Sequence, residues 1–287
     1  MRTSSSIIHH EILIINRYIS MKGRIAILGG GNLGKAIAIG LASTEEYAPS
    51  HIIVTKRRMH GVEELEDLGI QTTKDNCEAV KTSELILLCV QPKQLEYLLI
   101  EIRDVLNPKQ HVLVSTITGV SIRDISNLTL DNFPIIRAMP NTAIAIRESM
   151  TCLAAQNTSD ELINEVKAIF DVMGETLIIE EELMAAATVL GASGIAFCLR
   201  YIRAAAPGGI QMGFHAEEAQ KIAVQVCRGA ASLILQNQQH PETEIDKVTT
   251  PQGCTIAGLN EMEHNGLSSA VIKGIVASHR RIEKITD

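Results

Sequence analysis

A short apolar run that leads straight into closely spaced glycines constrains the fold of this chain more than any other feature. Residues 24–28 read RIAIL, residues 29–34 read GGGNLG, and a helical pattern of apolar positions follows. Gly29 permits a tight turn, Gly31 lets a phosphate approach the backbone, and Gly34 lets the helix pack closely on the strand. This order is typical of a dinucleotide-binding βαβ unit, and the alternative is a glycine-rich turn in some other α/β domain. The cofactor contacts predicted for the turn come from Gly29, Gly31, Asn32, Leu33 and Gly34.

The end of the second strand indicates which dinucleotide is preferred. Residues 51–55 (HIIVT) form an apolar run, and the next residues are Lys56, Arg57 and Arg58. An NAD site usually has an acid there to hold the ribose 2′-hydroxyl, whereas arginine binds a phosphate through paired, charge-assisted hydrogen bonds. We therefore expect NADPH to be preferred, with NADH possible, and Lys56 and Arg57 to contact it. The alternative is a solvated basic loop.

Further apolar strands are predicted at 84–90 and 111–117, with a helix at about 94–106 between them. Near-continuous apolar strands that alternate with helices indicate a parallel sheet covered on both faces. Ligands sit beyond the carboxyl ends of such strands, so residues 90–93 (VQPK) are predicted to border the cofactor cleft. The segment 137–142 (RAMPNT) is interpreted as another cleft loop.

The sequence becomes helical after about residue 160. An amphipathic helix is predicted at 161–173, a short strand at 176–179, and further helices at 181–206, 215–236 and 267–285. These helices are rich in alanine and poor in aromatic residues, and one copy offers too little to cover their apolar faces, which indicates an interlocked dimer.

The predicted fold class is α/β, with a Rossmann-type dinucleotide-binding domain followed by an all-helical dimerisation domain. The first domain is assigned to residues 21–180 and the second to residues 181–287. Residues 1–20 are predicted to be an unstructured N-terminal extension without a packed role, with Met21 as the natural start.

A polar break at residues 248–259 (VTTPQGCTIAGL) interrupts the helical sequence. Its threonines, Pro251 and Gly253 stand where a new helix is predicted to begin. The free N–H groups and positive dipole end of a helix start, with hydroxyls nearby, suit a small anion such as a carboxylate. Ordinary helix capping is the alternative.

Composition narrows the classes of partner. The chain has 287 residues, 46% hydrophobic and 21% charged, and its net charge of −7 argues against nucleic-acid binding. The six cysteines and nine histidines show no metal-ligand spacing, so we predict no metal site and a reducing, cytoplasmic location. The longest stretch without a charge, 184–199, is shorter than the roughly 20 residues that a bilayer requires. It is interpreted as a buried helix, and no membrane contact is expected.

Three motifs, in their order and spacing, resemble those of the pyrroline-5-carboxylate reductase family. They are GGGNLG at 29–34, MPNT at 139–142 and the polar break at 248–259, and the resemblance covers about residues 22–285. It implies NADPH-dependent reduction of 1-pyrroline-5-carboxylate to L-proline, the last step of proline biosynthesis. It also implies a small-molecule substrate and a homodimer or higher homo-oligomer.

The same resemblance implies roles for individual residues. Thr255 is the expected catalytic residue, because it matches the threonine whose hydroxyl faces the substrate ring nitrogen. The expected substrate-binding residues are Val248, Thr250, Gly253, Cys254 and Thr255. The cofactor-binding residues added to the glycine turn and the basic residues are Asn76, Val90, Gln91, Pro92 and Asn141.

The sequence departs from the family pattern at several positions. The family has lysine at the position of Gln91, glycine at that of Gln252 and threonine at that of Cys254. Glycine would permit a backbone conformation at 252 that glutamine resists. Three alternatives therefore stay open: a reductase of another cyclic imine, a catalytically weak nucleotide-binding paralogue, and a β-hydroxy-acid dehydrogenase. The last would carry a lysine after the interdomain glycines, and residues 194–203 contain none.

Overall fold

The structure is a computed structural model that describes residues 23–156 and 158–286, with side chains described as far as residue 282. The chain divides into two compact units, and the boundary along the sequence lies between Glu181 and Glu182. The extension predicted at residues 1–20 lies outside the described residues.

The first unit is built on an eight-stranded sheet. Its strands are β1 (Ile25–Leu28), β2 (Ile52–Thr55), β3 (Gln71–Thr73), β4 (Leu85–Leu88), β5 (Val112–Ser115), β6 (Ile135–Met139), β7 (Ser149–Ala155) and β8 (Gly174–Ile178). The order across the sheet is β3-β2-β1-β4-β5-β6-β7-β8, and the part from β3 to β6 is parallel. This order is that of a Rossmann-type domain.

Two helical layers cover this sheet. The helices of the unit are α1 (Asn32–Ala42), α2 (Glu63–Asp67), α3 (Asn76–Lys81), α4 (Leu95–Ile102), α5 (Ile122–Leu128) and α6 (Asp160–Asp171). Successive strand side chains point to opposite faces, so Ile25 and Ile27 join one buried cluster while Ala26 and Leu28 join the other. Burial on both faces explains why the central strands read as continuous apolar runs.

Three strands of the sheet differ from the sequence-based expectation. The strands β3, β6 and β7 were not predicted, and β7 runs antiparallel to β6, so the expected parallel sheet contains one antiparallel pair. The interpretation of 137–142 as a cleft loop is also wrong for its first half, because Arg137–Met139 completes β6 and all five residues of that strand are buried. Arg137 hid the strand pattern, and its charge is paired internally with Glu181.

The second unit is helical. Its helices are α7 (Met184–Ala187), α8 (Gly194–Gln211), α9 (Ala216–Asn237), α10 (Pro241–Val248), α11 (Cys254–His264) and α12 (Leu267–Thr286). The single helix predicted at 181–206 is divided instead into a 3₁₀ turn at Glu181–Leu183, α7, a π-helical turn at Thr188–Ser193, and α8. The small residues Gly191, Ala192 and Ser193 lie in the π turn.

This region was interpreted as a buried helix, and within a single chain little of it is buried. The helical stretch Glu181–Gln211 has 31 residues, and 17% of its most apolar window is buried. By length and composition alone it is long and apolar enough to cross a membrane, a test that the core helices of soluble proteins also pass. Large apolar side chains are exposed along it, among them Leu190, Leu199 and Tyr201.

Candidate active site

One large cavity opens beside the glycine turn. Its volume is about 800 Å³, and it lies at the carboxyl ends of β1, β2 and β4. An open parallel sheet binds its ligands at this end. The lining residues are Gly29, Gly30, Gly31, Thr55, Lys56, Arg57, Arg58, Lys74, Asn76, Cys89, Val90, Gln91, Gln94, Tyr97, Leu98 and Glu101.

The glycine turn has the geometry that a bound pyrophosphate requires. Gly29 has a φ of +119°, and a Cβ there would stand 2.5 Å from the carbonyl oxygen of Cys89. Gly34 packs so closely on the turn that a Cβ would collide with the carbonyl oxygen of Gly29. Gly31, which caps α1, is different: a Cβ there would meet no atom within 4 Å. A side chain at 31 would occupy the cavity space in front of the helix, where a phosphate binds backbone N–H groups.

Cations line the β2 side of the cavity. They are Lys56, Arg57, Arg58 and Lys74. The Lys56 ammonium group donates to the carbonyl oxygen of His60 at 2.7 Å, so it also holds its own loop. Lys74 was missed from the sequence, because it follows β3 and that strand was not recognised. Together these cations suit a ligand phosphate.

The structure brings most of the predicted cofactor residues to this cavity. Those that line it are Gly29, Gly31, Lys56, Arg57, Asn76, Val90 and Gln91. Those outside its lining are Asn32, Leu33, Gly34, Pro92 and Asn141. Asn141 is 7% exposed, and its side chain accepts a hydrogen bond from the Ala143 N–H at 2.9 Å. That hydrogen bond caps the 3₁₀ turn Thr142–Ile146, so Asn141 has a structural role in this loop.

Helix α4 supplies a wall of the cavity that the sequence did not reveal. Its residues Tyr97, Leu98 and Glu101 line the cavity, and the Asn76 side-chain amide donates to both carboxylate oxygens of Glu101, at 3.1 and 3.0 Å. Periodicity predicted the helix, but it could not show which face meets the ligand.

Cys89 is one of the residues that line the cavity. Burial raises the pKa of its thiol to about 12, and Thr116 donates a hydrogen bond to the sulfur at 3.4 Å. The thiol therefore stays protonated near neutral pH, and it is a packing group rather than a nucleophile.

The polar break lies in the second unit, between α10 and α11. The predicted helix start is confirmed: α11 begins at Cys254, Gly253 is its N-cap, and its first turn carries no acidic residue. Thr250 closes the turn, since its carbonyl oxygen accepts from the Gly253 N–H at 3.0 Å. Thr255 is the second residue of α11 and is partly buried.

At two positions of this break the local geometry restricts which residue can be accommodated. Gln252 adopts a φ of +59°, the left-handed conformation that glycine at this position would take without strain. A Cβ at Gly253 would stand 2.5 Å from the Thr250 hydroxyl oxygen, so a larger residue there would displace the turn.

Comparison with known proteins gives the family. The chain is 46% identical over 276 residues to pyrroline-5-carboxylate reductase 2 of Dictyostelium discoideum, a match that covers 91% of this chain and 92% of that protein. The chain belongs to the pyrroline-5-carboxylate reductase family. Pyrroline-5-carboxylate reductase 1 of the same organism is 47% identical over 88% of this chain, which spans 48% of that protein's length.

Family models and a solved structure agree with the two units. Residues 24–119 match the family described as NADP oxidoreductase, coenzyme F420-dependent, and residues 181–285 match pyrroline-5-carboxylate reductase dimerisation. The reductase structure from Coxiella burnetii is 26% identical, has a TM-score of 0.84, and covers 93% of this chain and 99% of that one. The predicted order of a Rossmann-type domain and a helical dimerisation domain is confirmed.

Proposed function

We propose that this member of the reductase family reduces 1-pyrroline-5-carboxylate to L-proline with NADPH. The observation that carries the proposal is the 46% identity over 92% of a relative that bears the reductase name. The cavity supports the cofactor: a glycine turn at a helix start meets a pyrophosphate, and Arg57, Arg58 and Lys74 offer charge to a 2′-phosphate.

NADPH supplies the hydride for the reduction, and the protein has to bind the two reactants, align them and offer them hydrogen bonds. We assign the substrate carboxylate to the N–H groups at the start of α11, around Gly253, Cys254 and Thr255. We assign a hydrogen bond with the ring nitrogen to the Thr255 hydroxyl. A protonated cyclic imine is already electrophilic, so this chemistry does not require a strong acid beside it. Val248 and Thr250 complete the proposed substrate loop.

The second unit supports a homo-oligomer, and we propose at least a dimer. Its match to a dimerisation family covers the helices whose apolar side chains are exposed in one chain. A second copy would cover those side chains, which accounts for a helix that is apolar but little buried. The cytoplasmic location remains a prediction that free thiols at all six cysteines agree with.

The role of Thr255 can be tested with a matched pair of variants. Thr255→Ala removes one hydrogen bond that strengthens in the transition state, so we expect NADPH oxidation with pyrroline-5-carboxylate to slow by about 10- to 100-fold. Thr255→Ser keeps the hydroxyl and should retain most of the rate. Unchanged turnover in Thr255→Ala would remove the residue from this role.

A further inference from the structure

Glu101 is an unexpected residue in a cavity that suits a polyanion. It is the one acidic residue among the described residues that line the cavity. The charged residues of the lining are otherwise cations, namely Lys56, Arg57, Arg58 and Lys74. A carboxylate beside a phosphorylated ligand costs binding free energy through charge repulsion, so its presence calls for a contact that offsets this cost. What it does is visible in its contacts, since both of its oxygens accept from the side-chain amide of Asn76.

This contact fixes which way the Asn76 amide points. An ionised carboxylate only accepts hydrogen bonds, so the NH₂ group must face Glu101 and the oxygen must face away from it. The opposite orientation would set the amide oxygen against two carboxylate oxygens. Asn76 therefore offers the rest of the cavity an acceptor, and its complement on a ligand is a hydroxyl donor.

The backbone around this pair is held in place separately. The Asp75 side chain accepts from the Glu78 N–H at 2.9 Å and caps α3, and the Cys77 thiol donates to the carbonyl oxygen of Glu101 at 3.2 Å. Burial, followed by the charge of Glu101, raises the pKa of that thiol, so it stays protonated as a donor. With α3 and α4 joined in this way, the remaining freedom of Asn76 is its side-chain rotation, which Glu101 restricts.

We propose that Glu101 is a positioning residue for the cofactor: it turns Asn76 so that the amide oxygen accepts a hydrogen bond from the adenosine ribose. The inference rests on the proposed use of NADPH. In NADPH the 2′-oxygen carries a phosphate, so the 3′-hydroxyl is the donor left on that ribose. The cations then bind the phosphate, and Asn76 reads the neighbouring hydroxyl.

Two substitutions at Glu101 separate orientation from charge. Glu101→Ala frees the Asn76 amide, and we expect the KM for NADPH to rise about fivefold with kcat unchanged, as for a lost ground-state contact. Glu101→Gln keeps an acceptor and removes the repulsion, so NADPH should bind as well as in the wild type, or tighter. If Glu101 acts through charge alone, both variants bind NADPH more tightly, and the proposal fails.

A double-mutant cycle tests the coupling. Asn76→Ala should weaken NADPH binding about as much as Glu101→Ala does, and the double variant should lose no more than either single variant. Losses that multiply would overturn the proposal. Glu96→Ala, an exposed change on the same helix but outside the cavity lining, should leave KM and kcat as they are.

The ligand hydroxyl can be tested directly with adenosine 2′,5′-bisphosphate as a competitor. Glu101→Ala should weaken this competitor but not its 3′-deoxy counterpart, a difference that general loosening of the fold would not produce. Equal weakening of both competitors would contradict the proposal. A wild-type protein that bound no NADPH would instead refute the proposed function, so the two failures are distinguishable.

Discussion

Gln252 has a backbone conformation that its side chain disfavours. Its φ of +59° lies in the left-handed region, immediately before the N-cap of the proposed substrate helix. A non-glycine residue there costs about 1–2 kcal/mol, and part of the relief from glycine is offset by the greater freedom of the unfolded chain. The sequence-based concern about this position therefore has a specific geometric cause.

We expect Gln252→Gly to stabilise the protein by about 0.5 kcal/mol in urea unfolding. Gln238 is a matched control, because it has the same side chain and a φ of +50° at the end of α9. Gln238→Gly should give a similar gain in stability without a change in turnover. A loss of stability in both variants would show that the left-handed strain is not what limits these positions.

Arg57 is expected to determine the choice between the two nicotinamide cofactors. Arg57→Ala removes a charge-assisted bond to the 2′-phosphate, so the KM for NADPH should rise about tenfold while the KM for NADH changes little. Steady-state kinetics with both cofactors measures this. Arg103→Ala, an exposed cation outside the cavity lining, is the control for net charge. A parallel loss with NADH would contradict the assignment.

At the scale of the elements, one buried ion pair joins strand β6 to the end of the first unit. Arg137 Nη1 lies 3.1 Å from Glu181 Oε1, and the two side chains are 8% and 11% exposed. The same Glu181 oxygen accepts from the Ile122 N–H at 2.7 Å, at the start of α5. Glu181 therefore holds a strand and a helix together through one carboxylate.

Removing one partner of this pair should be costly. Glu181→Ala leaves the buried Arg137 charge without its carboxylate, so we expect a loss of about 3–5 kcal/mol in the free energy of unfolding. Glu182→Ala is the control, since the adjacent side chain is exposed and should change stability by less than about 0.5 kcal/mol. Equal, small effects of the two variants would show that the ion pair contributes little.

The elements also show what the sequence predicts well. The central strands β1, β2, β4 and β5 and the long helices α9 and α12 follow from apolar periodicity, within a few residues at each end. The strands β3 and β7 were missed because they are short or carry polar residues, and β6 was missed because a buried arginine interrupts it. The π turn at Thr188–Ser193 gives no periodic signal of its own, and its small residues were consistent with an ordinary helix.

At the scale of the whole molecule, local sequence motifs predicted one side of the cavity better than the rest of it. The glycine turn and the basic strand end identified one side of the cavity, because each contact there comes from residues adjacent in sequence. Lys74, Tyr97 and Glu101 reach it from β3 and α4, and only the sheet order brings them near. The composition of the helices in the second unit predicted a dimer, but it could not show which exposed side chains a partner chain covers.

The most direct test of the proposed function is turnover by the purified protein with NADPH and two cyclic imines, one five-membered and one six-membered. We predict one proline formed for each NADPH oxidised with pyrroline-5-carboxylate. The kcat/KM for this substrate should be roughly tenfold or more above that for the six-membered imine, the discrimination that one methylene provides. Preference for the six-membered imine, or NADPH binding without turnover of either, would contradict the account.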